Sequence, residues 1–280
     1  MNDVAPKNRQ PAVSRDIERR FEKAKGYPRP QPPVFDSAED ERQYVKQTLA
    51  AAFRIFGKLG YDEGVMGHIS ARDPKNPNRF WMNPFGLSFN LITANDLLLI
   101  DLNGDLVEGD GFPHPGGIPL HAAILSRRTD VVSIAHVHSL YGRTWSTTGR
   151  LIPPASAESA VFFGKHTIYD SHANGEGDLL AQALEGNRAL LLKNHGLLTV
   201  GQSVDEAAYL FVSLEKICQS QIAAESMNST LTMDEEHARA GAERFGPYSG
   251  WLNFQPMYQT IVTEHPELLT AAQSPIRSVL

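Results

Sequence analysis

Two histidines one residue apart, His136 and His138 in IAHVHS, and a third, His195 in KNHGLLTV, are the side chains of this 280-residue chain best suited to chemistry. In an extended strand side chains repeat every two residues, so His136 and His138 project from one face and can converge on a single metal ion. His195 follows the apolar run 189–192 and precedes Gly196, the pattern of a strand ending in a tight turn that holds a side chain at the sheet rim. Three imidazoles so placed leave coordination positions open, as in a catalytic site and not a sealed structural one. An H-x-H pair also fits a strand whose histidines are merely exposed or satisfied. Eight of the ten histidines fall between His68 and His195, which weighs toward a site.

The elements that must position these residues follow from periodicity. Ser37 with Asp40 makes a capping pattern ahead of a long helix whose stripe is Val45, Leu49, Ala52, Phe53 and Phe56. Short strands are predicted at 68–72, 79–82, 97–101 and 105–107, the last two joined by the hairpin signal Asn103-Gly104. The loop GDGFPHPGG leads into a helix with Pro119 near its first turn and Leu120, Ala123 and Ile124 inward, and this helix delivers the chain to the His136 strand. Residues 139–146 read as helix, 167–169 as strand and 177–184 as helix, before the strand pair flanking His195. Ser203 with Glu206 caps a further helix with the stripe Ala207, Leu210, Phe211, Leu214, Ile217, Cys218 and Ile222. The result is an α/β protein, a mixed sheet with helices on both faces in a three-layer α/β/α sandwich.

With these segments in view, the chain resembles the class II aldolase/adducin superfamily, the fold of fuculose-phosphate aldolase and ribulose-phosphate epimerase. The resemblance rests on GVMGHISARD (64–73), FWMNPFGLSF (80–89), TANDLLLIDLNGDLVEG (93–109), LHAAILSRRTDVVSIAHVHS (120–139) and LLLKNHGLLTVGQSVDEAA (190–208), in the family's order and spacing. It implies a mainly antiparallel central sheet, a metal-binding domain over 35–227, and metal ligands at His136, His138 and His195. It also implies a small-molecule substrate and a homotetramer with sites between subunits.

Departures from the sugar-phosphate members narrow the expected chemistry. Four residues before His121, where those aldolases resemble one another in carrying an acid/base glutamate, this chain has Gly117, which cannot move a proton. Where they bind phosphate through hydroxyl and amide side chains, the matching stretches read Met66-Gly67-His68, Asn83-Pro84-Phe85-Gly86 and Pro115-Gly116. Phe85, Pro115 and Met66 offer no side-chain donor to a dianion. The substrate is therefore expected to be non-phosphorylated with an apolar or aromatic body, lying against Asn83, Phe85, Gly86 and Gly117. His68, His114, His121, Tyr141 and Glu158 are the candidates for proton transfer, each also readable as a packed or solvated residue.

A divalent ion on three imidazoles can bind a 2-oxo or 2-hydroxy acid through its carboxylate and carbonyl oxygens, which supports aldol cleavage or decarboxylation. The same open set serves mononuclear non-haem iron, and the prenylated hydroxybenzoate synthases that resemble this fold are iron oxygenases that remove carbon from aryl 2-oxo acids. A third reading, an adducin-like scaffold without catalysis, is disfavoured by the retention of all three histidines. Imidazole ligands leave the metal open among zinc, iron(II), manganese and cobalt.

Composition bounds the rest. A net charge of −6 gives no reason to expect nucleic acid or an anionic membrane as partner. No apolar run reaches the about 18 residues of a membrane span, and MNDVAPKNRQ lacks the apolar core of a signal peptide, so a cytoplasmic protein is expected. The lone Cys218 excludes an intrachain disulfide and sits on an apolar helical stripe, a packing role. Residues 1–34 form a charged, proline-rich arm ending in YPRPQPPV, expected to pack on a neighbouring subunit or to stay mobile. The extension 228–280 holds a charged helix at 233–245 and then GPYSGWLNFQPMYQTI. That aromatic stretch is expected to close a subunit interface or a site mouth, or else to cover the protein's own core.

Overall fold

The computed structural model describes residues 18, 22, 28–170, 176–228 and 230–269. Most of the arm expected over 1–34, the segment 171–175 and the end of the chain from 270 lie outside the described residues. The predicted capping at Ser37 is present: its Oγ accepts the Asp40 N–H at 3.1 Å and opens helix α1 (Ala38–Lys58). Strands β1 (His68–Asp73), β2 (Asn76–Met82), β3 (Leu98–Asp101) and β4 (Leu106–Glu108) follow. The β3–β4 connection is the four residues 102–105: Asp101 N–H donates to the Asp105 carbonyl, and Gly104 takes the left-handed conformation at φ 94°.

Helix α2 (Gly117–Arg127) leads to β5 (Ser133–Val137), then α3 (Leu140–Ser146), α4 (Ala157–Ala160) and β6 (His166–Tyr169). Next come α5 (Glu176–Leu184), β7 (Ala189–Leu192), β8 (Gly196–Gly201) and α6 (Val204–Ser226), the last capped by Ser203 Oγ on the Glu206 N–H. The described strands form one sheet in the order β4-β3-β2-β1-β5-β8-β7-β6, antiparallel throughout except for the parallel β6–β7 pair. This is the mixed, mainly antiparallel sheet expected.

Strand residues alternate between two cores, as a period of two requires. Ile69, Ala71, Trp81, Leu99, Ala135, Val137, Leu191 and Leu197 face α1, α6 and the C-terminal helix α8 (Pro247–Glu264). Phe80, Met82, Ile100, Ile134, Leu190, Leu192, Leu198 and Val200 face α2 and α5 with Ile124, Leu125, Leu180 and Leu184. His68, Ser70 and His136 share the parity of the second set and so face the α2 layer.

The aromatic C-terminal stretch takes the last of its three expected roles. Tyr248, Trp251, Phe254 and Tyr258 are buried on α8, and Phe254 and Tyr258 belong to the same cluster as α1 and α6. An exposed apolar tail would have needed a partner subunit to cover it, whereas this helix finds its cover within the chain. The charged helix before it, α7 (Glu235–Arg244), is shorter than 233–245 because Asp234 caps it, accepting the His237 N–H at 3.0 Å. Among the described residues no helix is long and apolar enough to cross a membrane.

Candidate metal centre

The three histidines converge. His136, His138 and His195 each offer a ring nitrogen, and these atoms all lie within 4.8 Å of one another. His136 comes from β5, His138 from the residue just beyond it, and His195 from the β7–β8 turn, where Leu192 pairs with Gly196. Asn194 takes the left-handed conformation in that turn at φ 58°, which asparagine tolerates better than most residues. His136 Nδ1 lies 2.7 Å from the Leu197 carbonyl oxygen. A carbonyl can only accept, so Nδ1 carries the proton and Nε2 keeps the lone pair a metal requires. Burial first, then the neighbouring His195 and His138, holds the His136 ring well below the ordinary histidine range. His138 is pushed down to about 4, again by burial first and then by His195. Three neutral imidazoles are the state in which this set binds a cation. The donor set fits a divalent ion.

The triad opens into a cavity of about 390 Å³ whose wall includes Met66, Gly67, Pro115, Gly116, Pro119, Leu120, Leu180 and Leu192. His68 and His114 also line it. His68 stands opposite His136 across the β1–β5 ladder, with ring centroids 5.0 Å apart. Its Nδ1 lies 2.7 Å from His121 Nε2, and His121 Nδ1 lies 2.5 Å from Ser70 Oγ. His121 is fully buried, and burial pushes its ring down to about 3. His114 has both nitrogens engaged: Nδ1 accepts the Gly117 N–H at 3.0 Å and Nε2 meets the Val65 carbonyl at 3.1 Å.

Gly117 starts α2 directly against this group. A Cβ built there would lie 2.9 Å from the His68 ring, so the imidazole fills the space a larger residue at 117 would need. The other sequence candidates fall elsewhere. Tyr141 packs on the α1–α6 core, with its N–H donated to Glu215, and Glu158 sits in the first turn of α4. Neither lines the cavity. Asn83 is buried and uses its side-chain amide on the Pro84 carbonyl at 3.4 Å. Phe85 spends its ring edge-on against His114 and Phe112, at 5.1 and 6.1 Å. Gly86 adopts φ 86° in the same loop. None of these three lines the cavity, and Phe85 touches it only through His114.

Sequence reasoning missed Glu215. On the buried face of α6, its carboxylate accepts from Ser139 Oγ (2.6 Å), Tyr141 N–H (2.8 Å) and Gly142 N–H (2.6 Å), clamping the turn that carries His138. The available signal was a charged residue set four positions after Phe211 within an apolar stripe. Ser70 was legible in the same way, two residues from His68 on one strand face.

The fold and the three-histidine centre together define the class. The model of the class II aldolase and adducin N-terminal domain matches residues 47–222, and the chain belongs to that family. It is 35% identical over 248 residues to decarboxylase NovR of Streptomyces niveus, covering 86% of this chain and 92% of that one. It is 34% identical over 249 residues to 4-hydroxy-3-prenylphenylpyruvate oxygenase/4-hydroxy-3-prenylbenzoate synthase of Streptomyces roseochromogenus subsp. oscitans, covering 86% and 90%. Among solved structures, L-fuculose 1-phosphate aldolase from Glaciozyma antarctica PI12 superposes with a TM-score of 0.80 at 36% identity, over 85% of this chain and 96% of that one.

Proposed function

We propose that this protein is a divalent-metal-dependent enzyme that cleaves a carbon–carbon bond, by decarboxylation or aldol-type cleavage, in a non-phosphorylated 2-oxo or 2-hydroxy acid with an aryl or similarly apolar body. The observation that carries the reading is the contrast within one cavity: a three-imidazole set at one point, and walls of Met66, Pro115, Pro119, Leu120, Leu180 and Leu192 around it. No lysine or arginine is among the described lining residues, so a phosphate dianion there would lose the charge-assisted bonds it has in water. An aryl body would instead exchange water for apolar wall.

A bound divalent ion would supply Lewis acidity toward the carboxylate and carbonyl oxygens of such an acid. The chain's own part is to hold His136 by the Leu197 carbonyl, to fix the His138 turn by Glu215, and to keep the bond being broken away from bulk water. The two Streptomyces relatives, named as a decarboxylase and as a prenylphenylpyruvate oxygenase/benzoate synthase, support carbon removal from an aryl 2-oxo acid. The second of them favours an iron-dependent oxidative variant of the same reading. Retention of the complete ligand set weighs against an adducin-like scaffold. A homotetrameric, cytoplasmic enzyme accords with this family membership.

The test is elemental analysis of protein purified without added metal, followed by oxygen uptake and carbon dioxide release with phenylpyruvate and mandelate. Iron with oxygen uptake identifies the oxidative reaction, and zinc with carbon dioxide release alone identifies the lyase. Micromolar binding and turnover of L-fuculose 1-phosphate, with no response to either aryl acid, overturns the proposal.

A further inference from the structure

We infer that Ser70, His121 and His68 form a directed hydrogen-bond chain that leaves a neutral Nε2–H of His68 as a donor aimed into the metal cavity, where it binds an anionic or carbonyl oxygen of the substrate. The inference rests on the proposed function for the identity of the substrate and on hydrogen-bond accounting for the direction. Ser70 is fully buried, and among the described residues its hydroxyl has one partner, His121 Nδ1, at 2.5 Å. A buried hydroxyl left with no acceptor for its proton costs more than one with an unused lone pair. Ser70 therefore donates to His121 Nδ1.

The rest follows by elimination. A neutral imidazole that accepts at Nδ1 carries its proton on Nε2, so His121 Nε2–H donates to His68 Nδ1 across the 2.7 Å contact. His68, accepting at Nδ1, must in turn carry its proton on Nε2. That nitrogen has no hydrogen-bond partner among the described residues, and His68 lines the cavity that the three ligands also line. His114 cannot serve in its place, because both its nitrogens are committed to the Gly117 N–H and the Val65 carbonyl. The packing holds the aim. Phe80 stacks on His121 at 6.5 Å between centroids, and the position of a Cβ on Gly117 lies 2.9 Å from the His68 ring. Any larger residue at 117 would displace that ring. His68 is thus a substrate-contacting donor and His121 and Ser70 are positioning residues; none of the three needs to take up a proton.

The arrangement predicts a readout independent of turnover. Imidazole 15N spectra of the zinc-loaded protein should show both His68 and His121 with the proton on Nε2, and Ser70→Ala should let both rings populate the reverse tautomer. A wild-type His68 protonated on Nδ1, with Nε2 bare, overturns the inference. Calorimetry with phenylpyruvate supplies the second arm. His68→Phe should weaken binding by about ten- to a hundredfold, the range for a hydrogen bond to a charged group, while zinc affinity stays unchanged. His68→Gln, which keeps an N–H near the Nε2 position, should recover most of the loss, and His121→Gln should stay close to wild type because its amide still donates to His68 Nδ1. Equal phenylpyruvate affinity in wild type and His68→Phe sinks the donor role. If phenylpyruvate fails to bind even the wild type while both rings show Nε2–H, the aryl-acid reading falls and the directed chain stands.

Discussion

The three central strands β1, β5 and β8 end in cavities at both edges of the sheet, and the two could hardly differ more in chemistry. At one edge, His68, His136 and the turn before Gly196 surround about 390 Å³. At the other, Asp73, Val132 and Gln202 help enclose about 480 Å³, with Phe35, Tyr44, Val45, Thr48, Asp205 and Trp251. At the larger cavity Arg42 grips Asp73 with bonds of 2.9 and 2.6 Å, and Arg72 is bonded to four backbone carbonyls. The smaller gathers three imidazoles, each with a ring nitrogen within 4.8 Å of the other two. Volume alone would choose the larger cavity; three ring nitrogens within 4.8 Å of one another make the smaller one the candidate metal centre.

The largest expected effect tests that contrast directly. Replacing His138 by alanine should leave far-ultraviolet circular dichroism unchanged and weaken zinc binding beyond the roughly 10- to 100-fold that outer-shell changes cost. Full metal occupancy in that variant would show that the imidazole edge is not the metal site.

Next in size is the clamp behind His138. Glu215→Ala leaves the Ser139 hydroxyl and the Tyr141 and Gly142 N–H groups without an acceptor in a buried turn. Stability should fall by about 3 kcal/mol or more, and zinc affinity by about 10- to 100-fold, as the turn carrying His138 loosens. Urea denaturation and a zinc titration measure the two separately. Loss of stability with unchanged zinc affinity would mean the turn holds its shape without the carboxylate.

How much of this contrast the amino-acid order disclosed depends on whether the cause is local. The His136–His138 spacing, the Ser37 and Ser203 caps and the core stripes of α1 and α6 are set by residues within a few positions of one another, and the structure has them as expected. The third imidazole, His195, was legible from the apolar run and the glycine that flank it, and the family resemblance added the mainly antiparallel order of the sheet. What stayed hidden depends on contacts across long sequence separations. Glu215 reaches back 76 residues to Ser139, and His121 reaches 53 to His68. Tyr141 and Glu158 have the chemical type for proton transfer and lie in or near the family's matched loops, but the start of α3 turns Tyr141 toward α6. The aromatic run on α8 was read from composition, which does not say whose core it covers.

The opposite edge supplies the third prediction. Burial raises the Asp205 carboxyl from the ordinary 3.8 to about 7, despite a 3.0 Å bond from Gln255 Nε2. An acid that binds its proton more tightly when folded adds stability at low pH and loses it as pH climbs through the folded value. Stability should therefore decline between about pH 4 and pH 7, by no more than about 4 kcal/mol from this group. Asp205→Asn should flatten that decline without altering zinc affinity at the far edge. An unchanged pH profile in the variant would assign the dependence to another group.

The smallest effect concerns a hydroxyl with nothing to do. Tyr258 on α8 is buried, and its hydroxyl has no hydrogen-bond partner among the described residues. Burial first, and then the nearby Asp205, raises its pKa, as expected for a phenol that gains nothing by ionising there. Removing an unpaired buried polar atom while keeping the ring gives up no bond and ends a desolvation cost, so Tyr258→Phe should be neutral or stabilising by up to about 1 kcal/mol. Zinc binding should not change, since α8 packs on the sheet face opposite the one His68 and His136 occupy. Equilibrium denaturation decides it. A loss of more than about 1 kcal/mol would mean that the hydroxyl is satisfied by an ordered water, and that this edge has a polar network of its own.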